Sequence, residues 1–372
     1  MLNNILKNKL LFFLGLTIFT TLGCSTVTNP KNESPSKEET PAHVEAEEVK
    51  SDLSDTLCKL TSSQCELQPS AETQNSKPID CWHNPTEGNV FILAMGSEMG
   101  RTEEKRLKWA NEDALSFANF MREVFGIRDD NQVCILPNVS KTQFEQALEH
   151  LSHKVDSNDL VIIYYSGHGT QGEDGGEIDE EDGYDELFVA YSENINDSTS
   201  QLRDDDFSKR VAKIPADNIL IVIDACFSAG LTRGETSNER VKYWDNPKLK
   251  KGTPPFGASL DPIEEKEVAL LSAALESQFA VELNEWCVAK NVYEGKEYRG
   301  GRFTIFFKRA LKQALQNRTQ KPVNLLEVFE ETKQNVIQHS KRCSHPKKTG
   351  PQEPVKKGND ELFWRINGYI PQ

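Results

Sequence analysis

Four short apolar runs, each separated from the next by polar or helix-patterned sequence, constrain this chain more than any other feature. They are Val90-Phe91-Ile92-Leu93-Ala94, Val133-Cys134-Ile135-Leu136, Leu160 to Tyr165 and Ile219 to Ile223. A strand wetted on one face alternates apolar and polar residues, whereas a run apolar throughout belongs to a strand covered on both faces. Helical spacing fills the gaps. Leu107, Ala110, Ala114, Phe117, Ala118 and Met121 share one face of a stretch from Glu103 to Phe125, with Gly126 as its stop. Phe144, Ala147, Leu148 and Leu151 do the same from Lys141 to Lys154, and Asp206 to Ala212 makes a third, shorter helix. This alternation predicts an α/β fold with a mostly parallel sheet and helices on both faces. Right-handed crossovers bring the carboxyl ends of the strands to one edge, where such sheets place their chemistry.

The pattern is interrupted by a polar loop at about 232–265, a length that is usually functional or mobile. Further strands are expected at Val268 to Leu271 and Phe279 to Val281, and helices from Phe303 to Ala314 and Val323 to Ile337. Ser340 to Asp360 reads as a basic surface loop, and Leu362-Phe363-Trp364 as a last short strand.

Two strands end in unusual punctuation. One runs into Ser166-Gly167-His168-Gly169, the other into Asp224-Ala225-Cys226-Phe227-Ser228-Ala229-Gly230. If both strands are parallel, His168 and Cys226 emerge on one edge. A thiol is mostly protonated at neutral pH, and the thiolate is the nucleophile, so a cysteine that works as one needs a base beside it. An imidazole can take that proton and return it to a leaving amine. The neighbouring glycines keep side chains out of the way, and the N–H groups of Gly169 and Cys226 are placed to hold an oxyanion. A lone cysteine after a strand is most often simply buried, and a lone Gly-His-Gly is often a turn. Paired at the ends of neighbouring strands, they carry more weight.

Tyr165-Ser166-Gly167-His168-Gly169 and Asp224-Ala225-Cys226-Phe227-Ser228-Ala229-Gly230 resemble the two catalytic motifs of caspase-like cysteine peptidases, particularly metacaspases and their bacterial relatives. Ala110-Asn111-Glu112-Asp113-Ala114, Asp182-Gly183-Tyr184-Asp185-Glu186, Leu270-Leu271-Ser272-Ala273-Ala274 and Gly301-Arg302-Phe303-Thr304 add weaker matches. The resemblance implies a caspase-like three-layer sandwich and an endopeptidase working on protein or peptide substrates through a His168/Cys226 dyad and a thioester. It implies cleavage after Arg or Lys, with Asp113 and Asp224 holding the basic side chain; a carboxylate pair favours a cation and rejects an acid. Chemistry needs no cofactor. Calcium is expected as an activator, with Asp185, Asp204 and Asp205 as matching ligands, against the plainer reading of a solvated acidic loop and a helix start. Within 232–265, Arg233, Arg240, Lys242, Lys248, Lys250 and Lys251 offer points for self-cleavage. The alternatives are a catalytically silent interaction module of the same fold, and a legumain- or gingipain-like peptidase.

The amino-terminal segment sets the location. Lys7 and Lys9 precede an uncharged apolar run from Leu10 to Thr20, too short for a spanning helix, and residues 1–23 read as a secretory signal. Thr21-Leu22-Gly23-Cys24 resembles a lipobox, which implies a lipid on Cys24 and an exported bacterial lipoprotein, at the outer membrane or cell surface in preference to the inner membrane. Residues 24–80 lack hydrophobic periodicity and read as a disordered tether, leaving 81–372 as the folded domain. The formal net charge of −15 argues against nucleic acid as a partner. With Cys24 and Cys226 set aside, six of the eight cysteines remain, an even number that export would allow to pair. Cys58 and Cys65 are close in sequence, and Cys134 reads as a small buried hydrophobe. No pair of C-x-x-C motifs supports a zinc site, and no histidine pair has metal-ligand spacing, so a metallohydrolase is not expected.

Overall fold

Strands β1 (Val90–Gly96), β2 (Val133–Leu136), β3 (Leu160–Ser166), β7 (Asn218–Asp224), β9 (Ala269–Ser272) and β12 (Val355–Lys357) form one sheet in the order β12-β9-β7-β3-β1-β2. The five from β9 to β2 are parallel, and β12 adds an antiparallel edge. Two smaller sheets sit beyond it. One is β4 (His168–Glu173), β5 (Tyr184–Val189) and β6 (Gln201–Arg203); the other is β11 (Gly300–Gly301), β10 (Val281–Leu283) and β8 (Arg240–Val241), in that order. The helices are α1 (Ala110–Val124), α2 (Lys141–Lys154), α3 (Asp204–Ala212), α4 (Arg302–Gln316), α5 (Leu325–Cys343) and α6 (Asp360–Asn367). The computed structural model describes residues 81–82, 89–100, 105–173, 184–194, 197–226, 240–243, 266–275, 278–283, 299–317, 322–343 and 351–371. All belong to the second of two units, Glu72–Gln372. The signal segment, Cys24, the tether, the acidic run at 174–183 and most of 232–265 lie outside them.

The apolar runs resolve into two faces. Ile92, Ala94, Ile162, Tyr164, Leu220 and Val222 point to one core with α1, α4, α5 and α6. Phe91, Leu93, Val161, Ile163, Ile219 and Ile221 point to another with α2 and α3. Strand side chains alternate, so residues apolar at every position serve two cores at once.

Helix α2 begins at the expected residue because Ser140 and Gln143 form a reciprocal capping box. Helix α1 begins at Ala110 and not at Glu103; the N–H groups of Lys108 and Trp109 are taken instead by the carboxylate of Glu282, each at 2.9 Å. Leu362-Phe363-Trp364 is not a strand. It lies inside α6, where the Asn359 side chain accepts from the Glu361 N–H and Leu362, Phe363 and Ile366 are buried at helical spacing. A three-residue apolar run is too short to separate the two periodicities. Ser340 to Asp360 is not one loop either: α5 runs on to Cys343, and Val355–Lys357 pairs with β9. Cys134 is buried but is not a mere hydrophobe; it forms a disulfide with Cys81, Cα to Cα 5.4 Å, closing a separation of 53 residues. That bond ties the start of the domain to the edge strand β2.

Candidate active site

The register of β3 against β7 positions the site. Ser166 pairs with Asp224, so His168 and Cys226 each stand two residues beyond one paired rung. At Gly167 the chain turns out of the sheet to start β4. A Cβ there would lie 2.3 Å from the Tyr165 hydroxyl oxygen, which itself sits 2.9 Å from the carbonyl oxygens of His168 and Val189. That close approach requires glycine.

His168 is buried, and its Nε2 lies 3.1 Å from the carbonyl oxygen of Lys105. A carbonyl only accepts, so Nε2 carries the proton and Nδ1 is the basic nitrogen. Burial lowers the imidazole to about 4, keeping it neutral at ordinary pH. Cys226 is equally buried. Its thiol donates to the Ala280 carbonyl at 3.1 Å, and its sulfur accepts the Ala280 N–H at 2.8 Å. Burial drives this thiol well above its ordinary range.

Lys242 occupies the ground between these residues. The backbone N–H of Gly169 and that of Cys226 both donate to the Lys242 carbonyl oxygen, at 3.0 and 3.2 Å. The Lys242 N–H donates to the Ala280 carbonyl at 3.0 Å, continuing the β8–β10 pairing. Its side chain is fully buried. The ammonium donates to Ser166 Oγ at 2.8 Å and to Asp113 Oδ2 at 3.3 Å, and is ion-paired with Asp224 Oδ1 at 3.1 Å. Burial pulls the lysine down, but Asp224, Asp113 and Glu282 outweigh it and the net shift is upward.

The pocket around the ammonium is walled by residues far apart in sequence. Asp113, from the first turn of α1, accepts the Gly301 N–H at 2.8 Å and the Ser166 hydroxyl at 3.0 Å. Burial raises its carboxyl to about 6, against the opposing pull of Lys242. Asp224 Oδ2 accepts the Thr304 N–H and hydroxyl at 3.1 and 2.7 Å. Gly300 and Gly301 leave the space. A Cβ on Gly301 would stand 2.0 Å from Asp224 Oδ2 and 2.5 Å from Lys242 Nζ, and Gly300 has φ +138. Glu282, 1% exposed, is a third carboxylate nearby, raised to about 7 mainly by burial.

Asp113, Gly169, Asp224, His168 and Cys226 thus come together. Ser166, Glu282, Ala280, Gly300, Thr304 and Lys242's place among them were not foreseen. The repeated small residues in Arg299-Gly300-Gly301 are the one local hint.

The second carboxylate set is arranged otherwise. Asp185 pairs with Arg203, and Asp205 with Lys209 at 2.7 Å, while Asp204 is buried as the first residue of α3. Among the described residues, no three His, Cys, Asp or Glu side chains are placed to share a metal ion. These three aspartates do not by themselves fit a calcium ion in this arrangement.

Among known proteins, the family described as "Caspase domain" matches residues 92–358. Metacaspase-4 of Arabidopsis thaliana is 35% identical over 116 residues, 29% of this chain and 26% of the relative. Metacaspase-6 of the same plant is 30% identical over 144 residues, 35% of this chain and 38% of the relative. The chain thus spans between a quarter and two fifths of the length of these curated relatives. The crystal structure of Caspase-1 from Spodoptera frugiperda superposes with a TM-score of 0.45 at 12% identity, over 78% of this chain and 94% of that one.

Proposed function

This chain belongs to the caspase-domain family, and we propose that it is a cysteine endopeptidase that cuts after lysine or arginine and takes its own Lys242–Tyr243 bond as a first substrate. One observation carries this. The carbonyl of Lys242 receives both backbone N–H groups expected to hold an oxyanion, while its ammonium is held by both carboxylates expected to select a base. A lysine filling a pocket for structural reasons alone would not need its carbonyl at the two donors beside the thiol.

The proposed reaction uses these placements. His168 Nδ1 takes the proton of the Cys226 thiol, and the sulfur attacks the carbonyl carbon before position 243. The carbonyl oxygen becomes an oxyanion between Gly169 N–H and Cys226 N–H. The proton on His168 passes to the Tyr243 nitrogen, the C–N bond breaks, and a thioester to Lys242 remains. Water, giving its proton to His168, hydrolyses the thioester and restores the thiol. The Ala280 clamp holds Cys226 as a thiol, and burial raises its pKa, so the clamp must loosen first.

The same clamp favours the second reading, a silent module whose site never opens. A legumain-like choice of asparagine fits less well, because a neutral amide would leave Asp113 and Asp224 buried without a cation. Incubating the wild-type chain beside Cys226→Ala separates these. The expected result is a new amino terminus at Tyr243 in the wild type alone, followed by turnover of Arg and Lys peptides and none of Asp peptides. An intact wild-type chain whose Cys226 also resists a thiol-directed peptide probe would establish the silent module.

Calcium enters only as an activator suggested by family resemblance, and no step above runs through a metal. Equal activity in calcium and in chelator would remove it. The lipid anchor rests on the Leu10 to Cys24 pattern, and the Cys81–Cys134 disulfide supports the oxidising compartment that export provides. Labelling by a lipid tag that is lost in Cys24→Ala tests it.

A further inference from the structure

If Lys242 marks the residue before the cut, Tyr243 marks the residue after it, and Tyr243 has a seat of its own. Its backbone bridges to Gly169. Its ring, half-buried, packs against the larger core and lies 6.2 Å from the ring of Phe279, at an interplanar angle of 52°. Phe279 is itself 4% exposed and held in that core. It directly precedes Ala280, whose N–H and carbonyl clamp Cys226 and whose carbonyl accepts the Lys242 N–H. One dipeptide therefore touches the nucleophile, the residue before the bond and the residue after it.

We propose that Phe279 is a specificity-determining residue that selects an aromatic side chain immediately after the basic one, so that the substrates are protein segments with a basic–aromatic junction. The inference rests on the reading of Lys242–Tyr243 as a substrate bond and deepens it. A tilted aromatic pair attracts through its quadrupoles beyond what buried area alone provides, and a rigid ring already fixed in a core loses little freedom on receiving a second. The sequence agrees. Of the six basic points in 232–265, Arg233 precedes Gly234, Arg240 precedes Val241, Lys248 precedes Leu249, Lys250 precedes Lys251 and Lys251 precedes Gly252; Lys242 alone precedes an aromatic residue. The competing explanation is that the Tyr243 ring only fastens the loop to the core and says nothing about other substrates.

Internally quenched peptides separate the two. Each carries Arg-Val-Lys before the cut and Tyr, Ala or Asp after it, and each is assayed with the full chain, kcat/KM being scaled to sites counted by a thiol probe. The expected preference for Tyr over Ala is about tenfold, from the size of one aromatic contact. The Tyr/Ala ratio should fall to within about twofold in Phe279→Ala, with Phe279→Leu between. Equal cleavage of the Tyr and Ala peptides by the wild type, or a ratio that survives Phe279→Ala, overturns the proposal and leaves lysine-directed cleavage standing. No cleavage of any of the three by probe-reactive protein overturns that reading and this one with it.

Discussion

The molecule holds two sets of carboxylates near its sheet edge, and they are organised in opposite ways. Asp113, Asp224 and Glu282 come from α1, β7 and β10, and their charges converge on one ammonium that solvent does not reach. Asp185 and Asp205 each have a basic partner close in the fold, Arg203 across a strand pair and Lys209 one helical turn on, and both of those partners are partly exposed. Convergent charges in a dry pocket cannot relax when one is removed, whereas an exposed pair such as Asp205–Lys209 gives way to water; Asp185 itself is buried. On the proposed reading, the first set is where charge selects a basic side chain. The second set is paired locally.

Breaking the convergent set should have the larger effect. Asp224→Asn leaves the buried Lys242 ammonium short of a charge, and removing one partner of a buried pair costs about 3–5 kcal/mol. Either the Lys242 segment leaves the site or the fold loses that stability. Release of the segment would be read as faster cutting of the loop by an added protease, and destabilisation as a lower urea midpoint; a variant matching the wild type in both would show that the pocket does not depend on charge.

The next effect is a pH limb. Asp113 keeps its proton up to about 6 because it is buried. As pH falls through that value the carboxylate becomes neutral, so KM for lysine peptides should rise on acidification. The limb should vanish in Asp113→Asn, whose KM is high throughout. A limb unchanged in that variant would assign it to another group.

The smallest effect belongs to the other set. Asp205→Ala removes an exposed i,i+4 pair with Lys209, worth no more than about 0.5 kcal/mol. Its thermal midpoint should shift slightly and its turnover in chelator not at all. A loss of turnover that added calcium restores would give this aspartate a role beyond the ion pair.

The two halves of the site differed in how legible they were. His168 and Cys226 each sit at the end of an apolar run, so local pattern and the parallel-sheet rule together carry them to one edge. The pocket has no such pattern. Asp113, Ser166, Glu282 and Gly301 meet only through tertiary contacts, and a buried carboxylate reads in sequence like any surface acid. Gly301 was visible as the first residue of a weak motif, but its purpose depends on an aspartate 188 positions away, as Gly301 N–H to Asp113 records. The long helix starting at Ala110 rather than Glu103 has the same origin. The N–H groups just before it, those of Lys108 and Trp109, are claimed by the Glu282 carboxylate from β10 and not by helical hydrogen bonds. Leu362 to Trp364 failed for a different reason: a capped one-face helix of eight residues offers too few repeats to declare its period.

If the bond after Lys242 is the first substrate, its seat also sets a kinetic order. A segment joined to the site by its own chain competes at an effective concentration that for short flexible links is on the order of millimolar. A dilute outside peptide meets that competitor at every encounter until the bond after Lys242 is broken. The opening step is then unimolecular, its half-time the same in a concentrated or a dilute solution. No second molecule has to be met before the first one begins.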